Sequence, residues 1–433
     1  MKMKVLQAKA GKTGGPLTRS QGSRIIAGSG LLKELGEALR NTGRAGKVLL
    51  ISDVNTDRLY SQTAISSLEN AGFQVRRYTL FPGEEQKNLT TLQGIYEALA
   101  SFQMGRQDLI LGLGGGVVCD LAALAAATYQ RGIDYVQAPT SLAAQAGGAI
   151  GGQGAVNLSQ GKDLVGAFHQ PLTVLIDPRL LRTLPRRYMV DGMAEVIKLA
   201  CVKDRQLFQY LEDIGSLDGL MGRMALGEEK EIEEIIWRCT GIRHRMAEED
   251  ELQDGTGQLL GFGHAIGQAI ETCWKFTCGH GEAVAVGMAA TADYGESLKL
   301  TERGTAGRLK VLLHRFELPD NLADLAKNCR KRTGNGPQIT LRTEERPLPQ
   351  KQSGSFGSFG SLDSLQSAAG QSQAVSPAGL KGKALEEALR QAVSLDKMNR
   401  GGQLGLVYIT RIGVAGVYKT AVEALPLAEL TQR

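Results

Sequence analysis

Histidines are scarce in this chain, and two of them stand where they could hold a metal ion. His264 and His280 flank one helical segment, and Glu195 lies in an otherwise apolar helical segment. Two imidazoles and one carboxylate, with an open coordination position, are the ligand set of a catalytic zinc ion. A lone histidine at a helix end more often caps the helix or packs in the core. The residues alone leave that alternative open.

A run of glycines could bind a phosphate group. Gly114, Gly115 and Gly116 follow an apolar strand and open a helix, where backbone N–H groups can approach a pyrophosphate. The run is not the G-x-G-x-x-G fingerprint, so a simple tight turn remains the alternative. Asp53 ends an earlier strand, where an acid can bind ribose hydroxyls. Asp120 lies one turn into the glycine-led helix. Each acid alone is as readily a helix cap or a surface charge.

The segments around the glycines alternate between strand and helix. Apolar runs predict five strands, and periodic segments between them predict helices. Such alternation predicts a mostly parallel, Rossmann-like sheet covered on both faces. The predicted strands are residues 47–53, 74–81, 109–116, 135–141 and 172–178.

From residue 187 the pattern becomes helical. We therefore predict an α/β domain at 24–186 and a helical metal-binding domain at 187–433, preceded by a flexible arm at 1–23. A Gly/Ser/Gln-rich stretch at about 335–380 cannot bury enough apolar surface to fold and is expected to be a disordered insertion. A final helix and a short strand follow it.

Composition excludes several classes of function. The net charge of +5 is small and interleaved with acids, which argues against a nucleic-acid partner. No apolar run reaches the roughly 18–20 residues of a membrane span. The N-terminus lacks the apolar region of a secretory signal, and six cysteines are too sparse for a disulfide scaffold. These features predict a cytoplasmic protein without membrane contacts.

Ordered sequence blocks resemble those of 3-dehydroquinate synthase, the NAD- and metal-dependent enzyme of the shikimate pathway and of aromatic amino acid biosynthesis. The blocks include LGGGVVCDLAALAAATYQRG, GKDLVGAFHQP, LPRRYMVDGMAEVIK, GFGHAIGQAIE and HGEAVAVGM, and they cover roughly residues 24–330. The resemblance implies a sugar-phosphate cyclase, a carbon–oxygen lyase that acts on a phosphorylated sugar acid and eliminates phosphate. It also implies NAD, a divalent metal (zinc or cobalt), a cleft between the domains and a homodimer.

The resemblance carries roles to particular residues. Glu195, His264 and His280 match the metal ligands. Arg131, Lys162, Lys198 and Lys397 match catalytic or substrate-binding residues, with Arg243 in place of a lysine and Gln268 in place of a histidine. The NAD contacts match Asp53, Glu84, Lys87, Gly114, Gly115, Gly116, Asp120, Thr140 and Ser141.

The substrate shell departs from the family pattern. A catalytic aspartate is replaced by Gly147, and the asparagine after Lys162 is replaced by Asp163. The other departures are Gln153, Gly257, Gly261, Gln268 and Met398. Together they remove positive charge from a pocket that must hold an anionic substrate. Lost charged hydrogen bonds of about 1.5–3 kcal/mol each would weaken binding of that substrate.

Three hypotheses follow from these departures. The chain is a divergent dehydroquinate synthase, or a related cyclase or polyol dehydrogenase with a less anionic substrate, or a non-catalytic homologue that binds NAD and metal.

Overall fold

The computed structural model describes residues 3–7, 23–158, 161–252, 255–274, 277–334, 382–394, 399–400 and 403–432. The insertion expected at about 335–380 and most of the expected N-terminal arm lie outside these residues, as does Lys397. The expected domain limits remain a prediction.

Twelve strands are found in the described residues. They are β1 (Lys4–Gln7), β2 (Arg24–Ala27), β3 (Lys47–Asp53), β4 (Gln74–Leu80), β5 (Leu109–Gly114), β6 (Asp134–Pro139), β7 (Gln153–Leu158), β8 (Gly161–Phe168), β9 (Thr173–Ile176), β10 (Asn399–Arg400), β11 (Gln403–Arg411) and β12 (Val414–Ala421).

Seven strands form the main sheet, in the order β1-β2-β9-β6-β5-β3-β4. β1 pairs antiparallel with β2, and the other pairs are parallel. Leu49, Leu111 and Val136 on the central strands are fully buried, as expected when helices cover both faces of a parallel sheet. The carboxyl ends of β3, β5 and β6 therefore lie side by side, and this edge is where ligands of such sheets bind.

Helices cover the sheet and then form the second half of the chain. They are α1 (Leu35–Arg40), α2 (Val54–Thr56), α3 (Gln62–Asn70), α4 (Leu89–Ser101), α5 (Gly116–Thr128), α6 (Arg186–Lys203), α7 (Arg205–Ile214), α8 (Leu217–Ala225), α9 (Lys230–Glu249), α10 (His264–Cys273), α11 (His280–Ser297), α12 (Thr305–Arg315), α13 (Leu322–Gly334), α14 (Lys383–Ser394) and α15 (Leu427–Gln432).

The sheet and the helices share one apolar core. Ile176 of β9 belongs to the same buried cluster as Met189 and Val196 of α6 and Ile235 of α9. This arrangement, a mostly parallel sheet followed by a helical half, confirms the predicted fold class. No helix in the described ranges is long and apolar enough to cross a membrane.

Helices α10 and α11 pack backbone against backbone. A Cβ added at Gly287 would lie 2.0 Å from the carbonyl oxygen of Gly263, and one at Gly267 would lie 2.9 Å from Cα of Val284. Only glycine permits so close an approach. The spacing between the two helices, which begin at His264 and His280, is therefore set by main-chain contact.

The structure contains six strands that the sequence did not predict, namely β1, β2, β7, β8, β10 and β12. Residues 4–7 are not a flexible arm but form β1, because they pair along the edge of β2 and alternate in exposure. The β7–β8 hairpin was not predicted, since β8 is largely exposed and lacks an apolar alternation. β12 was also missed; it pairs with the predicted strand β11 through a turn at Gly413, whose φ of 88° favours glycine.

The contact between α10 and α11 gives a test of stability. Gly287→Ala should lower the free energy of unfolding by about 3 kcal/mol, because the new methyl group would overlap main-chain atoms. The control is Gly222→Ala, at an exposed position of α8 where an added Cβ meets no atom within 4 Å. That change should raise stability by up to about 1 kcal/mol through helix propensity. Urea titrations of both variants measure the difference, and equal effects would contradict the packing described.

Candidate functional site

The glycine turn joins β5 to α5 at the carboxyl edge of the sheet. Gly115 is the N-cap of α5 in extended conformation, with no side-chain cap. A Cβ added at Gly116 would meet no atom within 4 Å, so the helix N-terminus faces open space that could accept a phosphate. Gly114 is needed for packing, because a Cβ there would lie 2.6 Å from the Val118 side chain.

Two further residues expected to contact NAD follow the neighbouring strand β6. The backbone N–H of Thr140 donates to the Gly114 carbonyl at 2.9 Å, which ties this segment to the glycine turn. Ser141 follows it, and its Oγ lies 3.5 Å from the position of a Cβ added at Gly115. Both residues therefore border the same open turn.

Asp53 acts as a local helix cap. Its carboxylate accepts from the backbone N–H groups of Asn55 and Thr56, and from the Thr56 hydroxyl at 2.9 Å. It ends β3 at the same edge as the glycine turn. The observed contacts of Asp53 are thus those of a helix cap. The expected contact between Asp53 and a ribose stays a prediction.

Lys87 lies buried among acidic side chains. Its ammonium group pairs with Asp120 of α5 and with Asp163 of the β7–β8 hairpin. Burial alone would lower the pKa of Lys87, but these carboxylates and Glu84 outweigh it and raise that pKa above the usual range. Burial, opposed by Lys87, raises the pKa of Asp120 to about 6. Lys87, which is expected to contact NAD, is therefore paired with Asp163, the acid that stands in place of the family asparagine.

A second charged chain links the hairpin to the helical half. The ammonium group of Lys162 lies 2.9 Å from Oε1 of Glu271 and 3.4 Å from Oε1 of Glu84. The other oxygen of Glu271 lies 2.8 Å from Nδ1 of His280. Burial alone would raise the pKa of Glu271, but His280 and Lys162 outweigh it and lower that pKa to about 2.

Two of the three expected metal ligands contact Lys198, and the third adjoins one of them. The Lys198 ammonium group lies 2.6 Å from Oε2 of Glu195 and 2.9 Å from Nε2 of His264. The rings of His264 and His280 lie edge to face, with centroids 5.4 Å apart. Burial would raise the pKa of Glu195, but Lys198 and Arg243 outweigh it and lower that pKa below its usual value.

These side chains fit a divalent metal in their chemistry. Nδ1 of His280 is engaged by Glu271, which leaves Nε2 to coordinate, as is usual for metal-binding histidines. Lys198 stands between two of the ligands, and the three ligand atoms do not all lie within 4.8 Å of one another. An ion held by all three side chains would take the place that the Lys198 ammonium group occupies between Glu195 and His264.

A tighter acidic group lies elsewhere, on the surface. His314, Asp320 and Asp324 have ligand atoms within 4.8 Å of one another. His314 already pairs with Asp320 at 3.2 Å, and Asp324 pairs with Lys327. This group is accounted for by its ion pairs.

The remaining predicted residues differ in how they are placed. Arg243 is buried, and its Nη2 donates to the Ile150 carbonyl at 3.1 Å. Gln268 is half-buried one helical turn after His264. Arg131 is exposed on a left-handed turn, with φ of 61°, and makes no contact with the charged clusters of the described residues.

Sequence reasoning missed two acids of the site. Glu271 lies two helical turns after His264, so the same face of α10 carries both. Asp191 lies one turn before Glu195, and its carboxylate accepts from the Gly281 backbone N–H at 2.5 Å. The available signal was spacing along the helices. Glu271 follows His264 by seven residues, and Asp191 precedes Glu195 by four.

Two family models match this chain in sequence. A model of the N-terminal part of 3-dehydroquinate synthase matches residues 77–191, and a model of its C-terminal part matches residues 192–332. The 3-dehydroquinate synthase of Clostridium kluyveri is 39% identical over 307 residues, which are 71% of this chain and 83% of that protein. That of Clostridium acetobutylicum is 41% identical over 304 residues, or 70% of this chain and 83% of that protein.

Solved structures share the fold over nearly the whole chain. A 2-epi-5-epi-valiolone synthase from Streptomyces hygroscopicus subsp. jinggangensis, with NAD⁺ and Zn²⁺ bound, gives a TM-score of 0.72 at 23% identity and covers 94% of this chain and 96% of that one. A 2-deoxy-scyllo-inosose synthase complexed with carbaglucose-6-phosphate, NAD⁺ and Co²⁺ gives 0.74 at 20% identity, covering 99% and 100%. At these identities the likeness concerns the fold alone.

The contacts of Glu271 generate a prediction about metal affinity. Glu271→Gln should weaken zinc binding by about 10–100-fold, because the carboxylate that orients His280 is lost. Competition with a chromogenic chelator measures the affinity. Glu69→Gln, an exposed change at the end of α3, is the matched control and should leave it unchanged. Equal affinities of both variants would contradict the role of Glu271.

The raised pKa of Asp120 generates a prediction about pH. The folded protein binds this proton more tightly than the unfolded chain, with a pKa of about 6 against 3.8. The contribution of Asp120 to stability is therefore present below about pH 4 and is lost as the pH rises to about 6. Relative to Asp120→Asn, the wild-type free energy of unfolding should fall over that window. Urea titrations between pH 4.5 and 7 measure it, and a constant difference would contradict the assignment.

Proposed function

This chain belongs to the 3-dehydroquinate synthase family, and from that premise we propose that it is an NAD- and metal-dependent carbon–oxygen lyase. It cyclises a phosphorylated sugar acid and eliminates phosphate. Family membership confirms the resemblance seen in the ordered sequence blocks. Relatives that match 70% or more of this chain are named 3-dehydroquinate synthase.

One observation supports the placement of the site. Lys198 contacts Glu195 and His264, and the ring of His280 adjoins that of His264. Glu271 joins His280 to Lys162, which also pairs with Glu84 beside Lys87. A chain of charged contacts thus connects the proposed metal ligands with the proposed nucleotide-binding edge. A hydride transfer between substrate and cofactor requires the two to lie close together.

The proposed cofactor sites use residues of this chain in defined ways. Glu195, His264 and His280 hold the metal, and the free N–H groups of the α5 N-terminus hold the pyrophosphate of NAD. When bound, NAD supplies reversible oxidation of a ring hydroxyl, and the metal supplies Lewis-acid polarisation of that oxygen. Glu271 fixes the orientation of His280. Once Lys198 has moved away from Glu195 and His264, its ammonium group binds the anionic substrate.

The charges of the cleft favour an anionic substrate. Lys162, Lys198 and Arg243 are cations with little exposed surface beside the ligand set. Acids of the chain already balance part of this positive charge. The substrate therefore needs less negative charge than it would if these three cations had no acidic neighbours.

A homodimer is proposed as the assembly, and light scattering after gel filtration tests it.

A second function is favoured by one contact. Asp163 places a carboxylate on Lys87 where the family pattern has an uncharged amide. That added negative charge favours a related cyclase or polyol dehydrogenase with a less anionic substrate.

A phosphate-release assay tests the proposed function. The full chain is incubated with NAD, zinc or cobalt, and the phosphorylated seven-carbon sugar acid of the shikimate pathway. Release of phosphate with no net reduction of NAD is the expected result. Net NADH formation with an uncharged polyol and no phosphate release would favour the second function. Tight NAD binding without turnover of either substrate would indicate a non-catalytic homologue and overturn the proposal.

Lys198 gives a residue-level test of the same cleft. Lys198→Ala should raise KM for the sugar acid by about tenfold or more, because a charged hydrogen bond of about 1.5–3 kcal/mol is lost. NAD affinity, measured by fluorescence titration, should stay within about twofold, since Lys198 contacts the ligand set and not the glycine turn. Lys203→Ala, at the exposed end of the same helix, is the control. A parallel loss of both affinities in Lys198→Ala would contradict this placement.

A further inference from the structure

The first turn of α11 takes a hydrogen-bond acceptor from another helix. The helix begins at His280, and its N-cap residue, Gly279, has no side chain that could accept a hydrogen bond. The first N–H groups of a helix have no partners within the helix, so they need acceptors from elsewhere. The backbone N–H of Gly281 donates to the carboxylate of Asp191 in α6 at 2.5 Å. Helix α6 thus supplies a cap that the sequence around Gly279 cannot.

The main chains of α6 and α11 also meet at this residue pair. A Cβ added at Gly281 would lie 2.1 Å from the carbonyl oxygen of Asp191, so only glycine permits this approach. The side chain of Asp191 is partly buried, and exclusion of water strengthens its hydrogen bond to Gly281. The main chain of Asp191 limits how closely α11 can approach, and its carboxylate holds α11 there. The contact therefore fixes the first turn of α11 relative to α6.

Both helices carry an expected metal ligand beside this contact. His280 directly precedes Gly281, and Glu195 lies one helical turn after Asp191. The imidazole ring of His280 is oriented separately, because its Nδ1 is engaged by Glu271. Two acids thus act on this histidine at different places. Glu271 orients its side chain, and Asp191 holds the main chain next to it.

We infer that Asp191 is a positioning residue for the proposed metal site. Its carboxylate sets the separation of Glu195 on α6 and His280 on α11. It acts through the main chain of Gly281 and has no contact with the ion itself. The inference rests on the proposed function, since it concerns the ligands of the proposed metal.

The hydrogen bond of Asp191 can be removed while the packing of the two helices is kept. Further along the helices, Met193 and Ile197 of α6 share a buried apolar cluster with Val284 and Met288 of α11. Burial of these side chains supplies most of the stabilisation of such a helix pair. Loss of the Asp191 carboxylate should therefore be felt at the metal ligands and leave the helix pair folded.

Zinc affinities of three variants test the inference. Asp191→Ala should weaken zinc binding by about tenfold or more, as is usual for residues that position metal ligands. Asp191→Asn keeps an oxygen that can accept from Gly281, so its affinity should stay within about threefold of the wild type. Asp191→Glu keeps the charge but carries it one methylene further out, so it should bind zinc more weakly than Asp191→Asn. Competition with a chromogenic chelator measures each affinity.

Asp204, just beyond the other end of α6, provides the matched control. Its carboxylate caps α7 by accepting from the backbone N–H groups of Gln206 and Leu207 at 2.9 Å. Asp204→Ala should lower the melting temperature at least as much as Asp191→Ala, because it also loses an ion pair with Arg238. Its zinc affinity should nevertheless equal that of the wild type.

The visible absorption of the cobalt-loaded protein gives a second readout. The absorption bands of cobalt depend on the geometry of its ligands. They should therefore change in Asp191→Ala, where His280 is displaced, and stay unchanged in Asp204→Ala.

Three results would overturn the inference. Equal zinc affinity of the wild type and Asp191→Ala would show that Asp191 does not position the ligands. Equal losses of affinity in Asp191→Ala and Asp204→Ala would assign the effect to lower stability. A loss in Asp191→Asn as large as that in Asp191→Ala would assign it to charge. If Asp191→Ala does not fold, Asp191→Glu and Asp191→Asn decide the test, and equal affinities of these two would overturn the inference.

Failure of the proposed function can be told apart from failure of this inference. A wild type that binds zinc with an affinity that depends on Asp191, but releases no phosphate, would support the inference and overturn the proposed function. Phosphate release by the wild type, with zinc affinity unchanged in Asp191→Ala, would overturn the inference alone. A wild type that binds no zinc would overturn both.

Discussion

The carboxylate of Glu271 accepts from two sides, from Lys162 of the hairpin at 2.9 Å and from His280 of α11 at 2.8 Å. Glu271 is almost fully buried. A buried carboxylate is stable only with such partners, and removing one partner leaves a charge without compensation. The hairpin, α10 and α11 therefore hold each other through one anion. The orientation of His280, and with it the geometry of the proposed metal site, depends on this shared acceptor.

The same requirement organises the other side of the cleft. Lys87 is buried and needs acids, which it finds in α5 and in the hairpin. The backbone N–H of Asn157 in β7 donates to the Lys87 carbonyl, and Gly154 lets the hairpin approach α5 closely. The hairpin thus carries consecutive residues, Lys162 and Asp163, into two different charge clusters. A short hairpin connects the carboxyl edge of the sheet, where nucleotide binding is proposed, with the helices.

Elements whose sequence patterns lie within a few neighbouring residues could be predicted, and elements held by distant contacts could not. Apolar strands such as residues 47–53 and the glycine turn were visible, because buried parallel strands and helix N-termini leave patterns within a few residues. Asp53 was predicted as a ribose contact, and its observed bonds are those of a helix cap, a role that the same local pattern allows. The hairpin was missed because its stability comes from charges and close contacts that are distant in sequence. Glu271 was missed for the same reason, although it shares a helix face with His264.

The glycine contacts between α10 and α11 have a consequence for how such a cleft can change over evolution. Because main chain touches main chain at Gly263 and Gly287, no side-chain substitution there can adjust the separation of the two histidines. The helix pair is a fixed template, and with the exception of Gln268, the unusual residues placed by the structure lie outside both helices. Diversification of chemistry would then proceed by altering the hairpin, α9 and the turn around Gly147. The proposed ion-binding frame would be inherited unchanged while the walls around the substrate are rebuilt.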